Sequence, residues 1–443
     1  MPTIPYHQRL TTKIFCARKR TPAVTTFAEA GALIRQIHAL TAGCPQVVYL
    51  VGWQHDGHDS KYPDWTVVNQ RLAPGEDALA ALRALMIDAR RFNAVVSLHI
   101  NMDDAYADSP VWDRYKDANL LIRETDGTLS DAGVWDDDRC HWVSKTHEWR
   151  AGLAQQRIDA LCALLPLGEQ GTVHIDAFRP HPSPWHGTTW ADEVATCRAL
   201  IGHWRSHGID VTTEYLADPA LADLHPLVWH DNRDESERLA IPPEVLCGGG
   251  AAANCRGRRI SEGEPPWWGW SMAPSAGCRY DEAWGASIDC DVAMRPEAGF
   301  ADPLMVQREF TAKTLPWLRF NRTRPIRHEQ TAGQYTVHFA DGLESRIRTS
   351  DRHHRVTDAD GRVLLDGGDR CLPCDWRPGC AMAVHAAGGP RTWELENGWA
   401  GVGSAAVSCL TMDGAQPLQR VPVSDGAITL DLAPGVPVLI EPA

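Results

Sequence analysis

The sequence predicts an α/β protein: a (β/α)8 TIM-type barrel over residues 1–325, then an all-β, sandwich-like domain over residues 326–443. Three observations carry this. Strand-like and helix-like segments alternate through the first two thirds of the chain, which implies parallel strands covered by helices. No GxGxxG or GxxxxGK[ST] loop follows any of those strands, which counts against a nucleotide-binding open sheet. From about residue 325 the texture changes to short strands punctuated by Asp-Gly and Gly-Gly turns.

The elements follow in order. "TKIFCA" (12–17) reads as the first strand. "TFAEAGALIRQIHAL" (26–40) is an amphipathic helix, with Phe27, Ala30, Ile34 and Ile37 at helical spacing and Thr26 as its cap. "QVVYLVG" (46–52) is a buried strand, and "GEDALAALRALMIDARRF" (75–92) a helix with Leu79, Leu82, Leu85 and Met86 on one face. "AVVSLHI" (94–100) is the third strand and "EWRAGLAQQRIDALCALL" (148–165) the next helix. "GTVHIDAF" (171–178), "TWADEVATCRALIGHWRSHG" (189–208) and "IDVTTEYL" (209–216) continue the alternation. The later segments "GQYTVHFADGLESRIRT", "HHRVTDADGRVLLDGG", "AMAVHAAGGPRTWELENGW" and "GAITLDLAPGVPVLIEPA" are the short strands of the second domain.

Composition narrows the function classes. A formal net charge of −14 repels phosphate backbones and argues against nucleic-acid binding. No apolar stretch approaches the roughly 18 residues of a membrane span. No signal peptide is visible in "MPTIPYHQRLTTKIFCARKRTP", so a cytoplasmic location is expected, with "ARKR" a solvated loop. The 13 cysteines include no paired CxxC motifs, and free thiols are expected, with Cys371, Cys374 and Cys380 only a weak zinc pattern. The 18 tryptophans point toward carbohydrate, because flat aromatic faces stack on sugar rings. Nothing in the sequence indicates an oligomeric state.

The chemistry gathers at the strand ends, where a parallel barrel places its active site. The second strand runs into Trp53, His55, His58, Asp59, Lys61, Tyr62 and Asp64. The third carries His99, Asn101, Asp103 and Asp104, the fourth His174, Asp176 and Arg179, the fifth Glu214. Carboxylates beside buried strands are costly without partners, and their recurrence on four strands points to one shared pocket. Glu214 follows Asp176 by 38 residues, one α/β repeat, so both stand on neighbouring strands at one rim. Glycoside hydrolysis needs such a pair, about 5–5.5 Å apart for retention or roughly 6.5–9.5 Å for inversion. Three alternatives stay open: a structural Glu214–Arg179 ion pair, a metal-dependent hydrolase using His55, His58, Asp59, His99, His174 and Asp176, and a sugar-binding protein without catalysis. "EPPWWGW" (264–270), with Trp267, Trp268 and Trp270, reads either as a stacking wall or as a packed plug. His141 and His147 read as ordinary surface or core residues, and "RHHR" (352–355) as a solvated turn rather than a metal tract.

The blocks "QVVYLVGWQHDGHDSKYPDW", "SLHINMDDAY", "TVHIDAF" and "TTEYL", in that order, resemble the catalytic barrel of the endo-α-N-acetylgalactosaminidases, glycoside hydrolase family 101, related to the α-N-acetylgalactosaminidases of family 129. The resemblance starts at "TKIFC" and returns in "LPCDW" and "VHAAGGPRTWELENGW". It implies a retaining attack on α-linked N-acetylgalactosamine, releasing Galβ1-3GalNAc from O-glycans or glycopeptides. Carried over, Asp176 is the nucleophile, Glu214 the general acid/base, and Asp59 a sugar-hydroxyl contact. Trp135 and Trp142, in "GVWDDDRCHW", fall where the family has aromatic lid residues. Trp53, His58, Tyr62, His99, Asn101, Asp103, His174, Arg179 and Trp268 complete the expected substrate-binding set, with no cofactor and no metal. Large members carry a β-sandwich ahead of the barrel and carbohydrate-binding modules, neither visible here, so an exo-acting α-N-acetylgalactosaminidase or another α-glycosidase on the same scaffold is the alternative.

Overall fold

The computed structural model describes residues 2–248 apart from 23, 231, 232 and 234, the strand Gly285–Ile288, and residues 303–443 apart from 349 and 352. Among these, a parallel sheet contains Leu10–Phe15, Gln46–Val51, Ala94–Asn101, Thr172–Asp176, Asp210–Tyr215, Leu227–His230, Cys247–Gly248 and Gly285–Ile288, referred to below as its first to eighth strands. Sheet neighbours follow chain order, and the eighth strand returns to pair with the first. That is the order of a (β/α)8 barrel cut between its seventh and eighth strands. The expected closed barrel is thus met in part: the sheet curls, but those two strands are not paired among the described residues.

Local chemistry explains the elements. The second strand, "QVVYLV", is buried at every residue, as a parallel strand covered on both faces must be. The helix Phe27–Leu40 opens with a capping box, Thr26 accepting from the Glu29 backbone while the Glu29 carboxylate accepts from the Thr26 backbone. Its buried face is Phe27, Ala30, Leu33, Ile34, Ile37 and Leu40. Each large member stabilises the fold by ~1.5–3 kcal/mol through burial.

Three expectations shift. The second helix is shorter, Ala78–Asp88, and passes through a 3-10 turn to Asn93, whose φ of 53° ends it. The helix expected over 148–165 is two, Lys145–Arg150 and Leu153–Leu164, because Gly152 adopts φ +73°, a left-handed geometry that breaks a helix at little steric cost. Between the third and fourth strands the chain forms an unanticipated antiparallel sheet, Asp104–Tyr106, Asp131–Trp135 and Asp138–Trp142. The "ARKR" segment is not simply solvated: Lys19 pairs with Asp108 (2.9 Å) and Asp138, and Arg20 with Asp138 (2.8 Å), which pins that sheet across to the first strand's loop.

From Pro325 onward twelve antiparallel strands form one sheet. Its middle strands are buried on both faces, and the period of two shows directly. Val438 and Ile440 enter a local core with Trp393, Trp399 and Leu430, whereas Leu439 between them joins the core of the parallel sheet. Trp376 Nε1 donates to Ala42 O at 3.1 Å, and Gln307 Nε2 to Leu410 O at 2.7 Å, across the same junction. Cys371, Cys374 and Cys380 are buried free thiols. No helix among the described residues is long and apolar enough to cross a membrane.

Candidate active site

Strand register builds the site. Asn101 pairs with Asp176 across the third and fourth strands, and Ile175 pairs with Thr213 across the fourth and fifth. One residue beyond that last pair stand Asp176 and Glu214. The topology therefore delivers Asn101, Asp176 and Glu214 to one rim on three adjacent strands.

The two carboxyls lie in hydrogen-bond contact, and their charges are pushed apart. Burial raises both. For Asp176, however, His99, Lys13 and His58 outweigh burial and hold the carboxyl far below the usual range. His99 Nε2 stands 3.5 Å from Asp176 Oδ1. For Glu214, burial and the adjacent Asp176 charge raise the pKa to about 7 against the opposing pull of Lys13. At neutral pH the site thus holds one firmly ionised carboxylate beside one half-protonated carboxyl. Burial lowers the His99 pKa despite Asp176, so its ring stays neutral and can donate from Nε2. Its Nδ1 has no partner among the described residues, as suits a bare lone pair rather than a second N–H.

Lys13 is the residue that sequence reasoning missed. It is 7% exposed, on the first strand, with Nζ 4.4 Å from the centroid of the buried Trp229 ring. The available signal was a lysine inside the apolar strand "TKIF", where a charge needs a partner.

The loop after the second strand is held in unusual backbone geometry. His55, Asp59 and Lys61 have φ of 44°, 52° and 58°, a region costly for side-chain-bearing residues. Gly52 (φ +74°) lies so close to the chain after the first strand that a Cβ would sit 2.0 Å from Ala17 O. His58 N donates to that same carbonyl at 2.9 Å. The result aims His58 and Asp59 inward, Nδ1 to Oδ2 at 3.0 Å. Burial opposes the His58 charge, but Asp59, Asp176 and Asp136 more than compensate and raise its pKa. His55 turns away to Asp64 (3.0 Å) and Lys61 to Asp56 (3.3 Å). Trp53 is fully buried and donates Nε1 to His99 O at 3.1 Å, so it braces the third strand.

The other expected residues divide by environment. The Asn101 side chain organises its own turn: Oδ1 accepts from Asp103 N (2.7 Å) and Asp104 N (2.9 Å), and Nδ2 donates to Asp104 (2.9 Å). Asp103 is buried against the buried Lys145, which also donates to Arg179 O at 2.7 Å. Asp104 is pushed well above the usual carboxylate range by burial and then by Asp59, Asp103 and Asp176. Tyr62 and Tyr106 are buried with ring centroids 6.5 Å apart, and burial, then Asp59, raises the pKa of both hydroxyls. His174 Nδ1 meets Thr212 Oγ1 (2.9 Å), one layer below the rim. Trp142 stacks on His181 (4.0 Å between centroids), with the Arg179 guanidinium 5.2 Å from its centroid. Arg179 Nε donates to His181 Nε2 at 3.0 Å. Trp135 stands half exposed at the end of its strand. Trp268, like Trp267 and Trp270, lies outside the described residues.

Of the six groups in the metal-hydrolase alternative, His58, His99 and Asp176 bring one ligand atom each within 4.8 Å of one another. His55 and His174 are engaged elsewhere.

Residues 8–225 match the family model described as endo-alpha-N-acetylgalactosaminidase, which bears out the resemblance drawn from the sequence blocks. Among solved structures, the ligand-free α-N-acetylgalactosaminidase NagBb from Bifidobacterium bifidum is similar in fold, with TM-score 0.55 and 14% identity over 80% of this chain and 58% of that chain. Its GalNAc complex gives TM-score 0.55, 14% identity, and coverage of 80% and 58%. Its Gal-NHAc-DNJ complex gives 0.56, 14%, and coverage of 79% and 58%. This chain therefore spans less than two thirds of the length of that protein.

Proposed function

We propose that this chain, whose residues 8–225 match the endo-alpha-N-acetylgalactosaminidase family model, is a retaining α-glycosidase acting on α-linked N-acetylgalactosamine. One observation carries the reading: two touching carboxyls whose environments drive their pKa values in opposite directions.

Asp176, ionised, attacks the anomeric carbon while Glu214 gives its proton to the departing oxygen. The glycosyl–Asp176 ester removes the charge that had raised Glu214. Its pKa then falls, and it takes a proton from the water that hydrolyses the ester. Lys13 and His99 support the Asp176 charge. His58 and Asp59, locked as a pair, face the pocket as sugar-hydroxyl contacts. Tyr62 offers a buried hydroxyl, and Trp135 an open ring face for stacking. The substrate is a carbohydrate, and no cofactor takes part in these steps.

The leading mode is endo, releasing Galβ1-3GalNAc. Exo action, or another α-glycosidase activity on the same scaffold, is the second reading; the chain shares its fold with an α-N-acetylgalactosaminidase. Hydrolysis of two aryl α-glycosides, one of GalNAc and one of Galβ1-3GalNAc, compared side by side, separates them: the endo reading expects the disaccharide substrate to turn over faster. NMR of the earliest product should show the α anomer, and an initial β anomer would remove the retaining mechanism. A metal-dependent reading rests on the His58, His99 and Asp176 convergence. It requires chelation to abolish turnover, whereas the two-carboxylate reading requires turnover to survive.

A further inference from the structure

We propose a second ligand site, for a divalent transition-metal ion of the zinc type, on the outer helices. Asp159 lies on the helix Leu153–Leu164. His203 lies in the last turn of the helix Trp190–Ser206, and His207 is its C-cap residue. The spacing of four residues places both imidazoles on one helix face. Both aim Nε2 at the same carboxylate oxygen: His203 to Asp159 Oδ1 at 2.7 Å and His207 to the same atom at 2.8 Å. All three ligand atoms lie within 4.8 Å of one another.

Two imidazole nitrogens and a carboxylate oxygen are the donors a zinc ion takes, at ~2.0–2.2 Å each. Tetrahedral ligands at that radius stand ~3.3 Å apart, so the two nitrogen–oxygen distances would open by about half an ångström. The side chains are 22%, 32% and 53% exposed for His203, His207 and Asp159, which leaves them free to open and leaves a coordination position for water. The helix C-terminus beneath them adds carbonyl dipoles that favour a cation. The helix carrying Asp159 precedes the Asp176 strand, and the helix carrying the histidines follows it. A bound ion would cross-link the two helices that flank that strand. This site is independent of the proposed glycosidase activity.

The test is calorimetric titration of the EDTA-dialysed 443-residue chain with zinc chloride, beside the double variant His203→Ala/His207→Ala. The wild type should show a saturable site that the double variant lacks, and Asp159→Asn should weaken it about tenfold or more. Zinc at a hundredfold above Kd should raise Tm by roughly 3 °C in the wild type alone. Cobalt(II) in place of zinc should give ligand-field bands that the double variant loses. Identical isotherms for wild type and double variant would overturn the proposal. So would loss of the zinc site in Asp176→Asn with retention in the double variant, because the ion would then sit at the sheet's mouth.

Discussion

Two clusters in this protein have the same donors, two histidines and an aspartate, in opposite surroundings. His58, His99 and Asp176 stand at the mouth of the parallel sheet, and Asp159, His203 and His207 on its outer helices. At the mouth, the Asp176 charge is already balanced by Lys13 and by His58, whose protonated form Asp59 favours. A metal ion there would meet Lys13, and a His58 whose charged form its aspartate neighbours favour, in a buried space where like charges repel strongly. The outer cluster is more open to water and sits at a helix C-terminus, and the positive groups that weigh on the Asp159 charge are its own two histidines. Donor identity alone does not make a metal site. The neighbouring charge decides whether the same three side chains tune a carboxylate or take up an ion.

That contrast can be broken at several points. The largest effect is expected at the carboxyl pair. Asp176→Asn should cut turnover roughly 10⁴-fold, read from steady-state kinetics on an aryl α-N-acetylgalactosaminide. Glu214→Gln should cost ~10²–10⁴-fold on a natural leaving group and less on an activated aryl one, which needs little acid assistance. Near-wild-type activity in either variant removes the assignment.

The next effect is on pH dependence. Glu214 must be protonated to act as acid, so kcat/KM should fall as pH rises through about 7, and that limb should vanish in Glu214→Gln. Lys13 favours the charged form of both carboxyls, so Lys13→Met should raise both pKa values. The alkaline limb should move above 7 and turnover should drop roughly tenfold. A pH profile that superposes on the wild type would show Lys13 to be a packing residue only. The smallest effect is far from either cluster. Thr26→Ala removes one side of the capping box and should lower unfolding free energy by ~1 kcal/mol without changing KM.

Much of this was legible in residue order. Asp176 and Glu214 end consecutive strands of period-defined β/α units, so their shared rim follows from spacing. His58 and Asp59 could be placed on the mouth loop for the same reason. Their orientation could not, because it depends on Gly52 meeting the Ala17 carbonyl from another strand. Asp103 looked like a pocket residue until Lys145, far along the chain, was seen buried against it. Trp53, expected in the substrate-binding set, donates to His99 O and braces the third strand. The tryptophan excess is likewise shared with the interior: Trp204 and Trp229 are core residues beside the same sheet.

The amino-acid sequence by itself determined the alternation of strands and helices, the change to antiparallel strands near Pro325, and the rim positions of the two carboxyls. These depend on periodicity and spacing, which are local properties of a chain. Only the tertiary structure decided which charges meet. Lys13 reaches Asp176 and Glu214 across the sheet's interior, and Asp159 reaches His203 and His207 across two helices. Electrostatic energy depends on distance in space and on burial, and sequence separation carries neither.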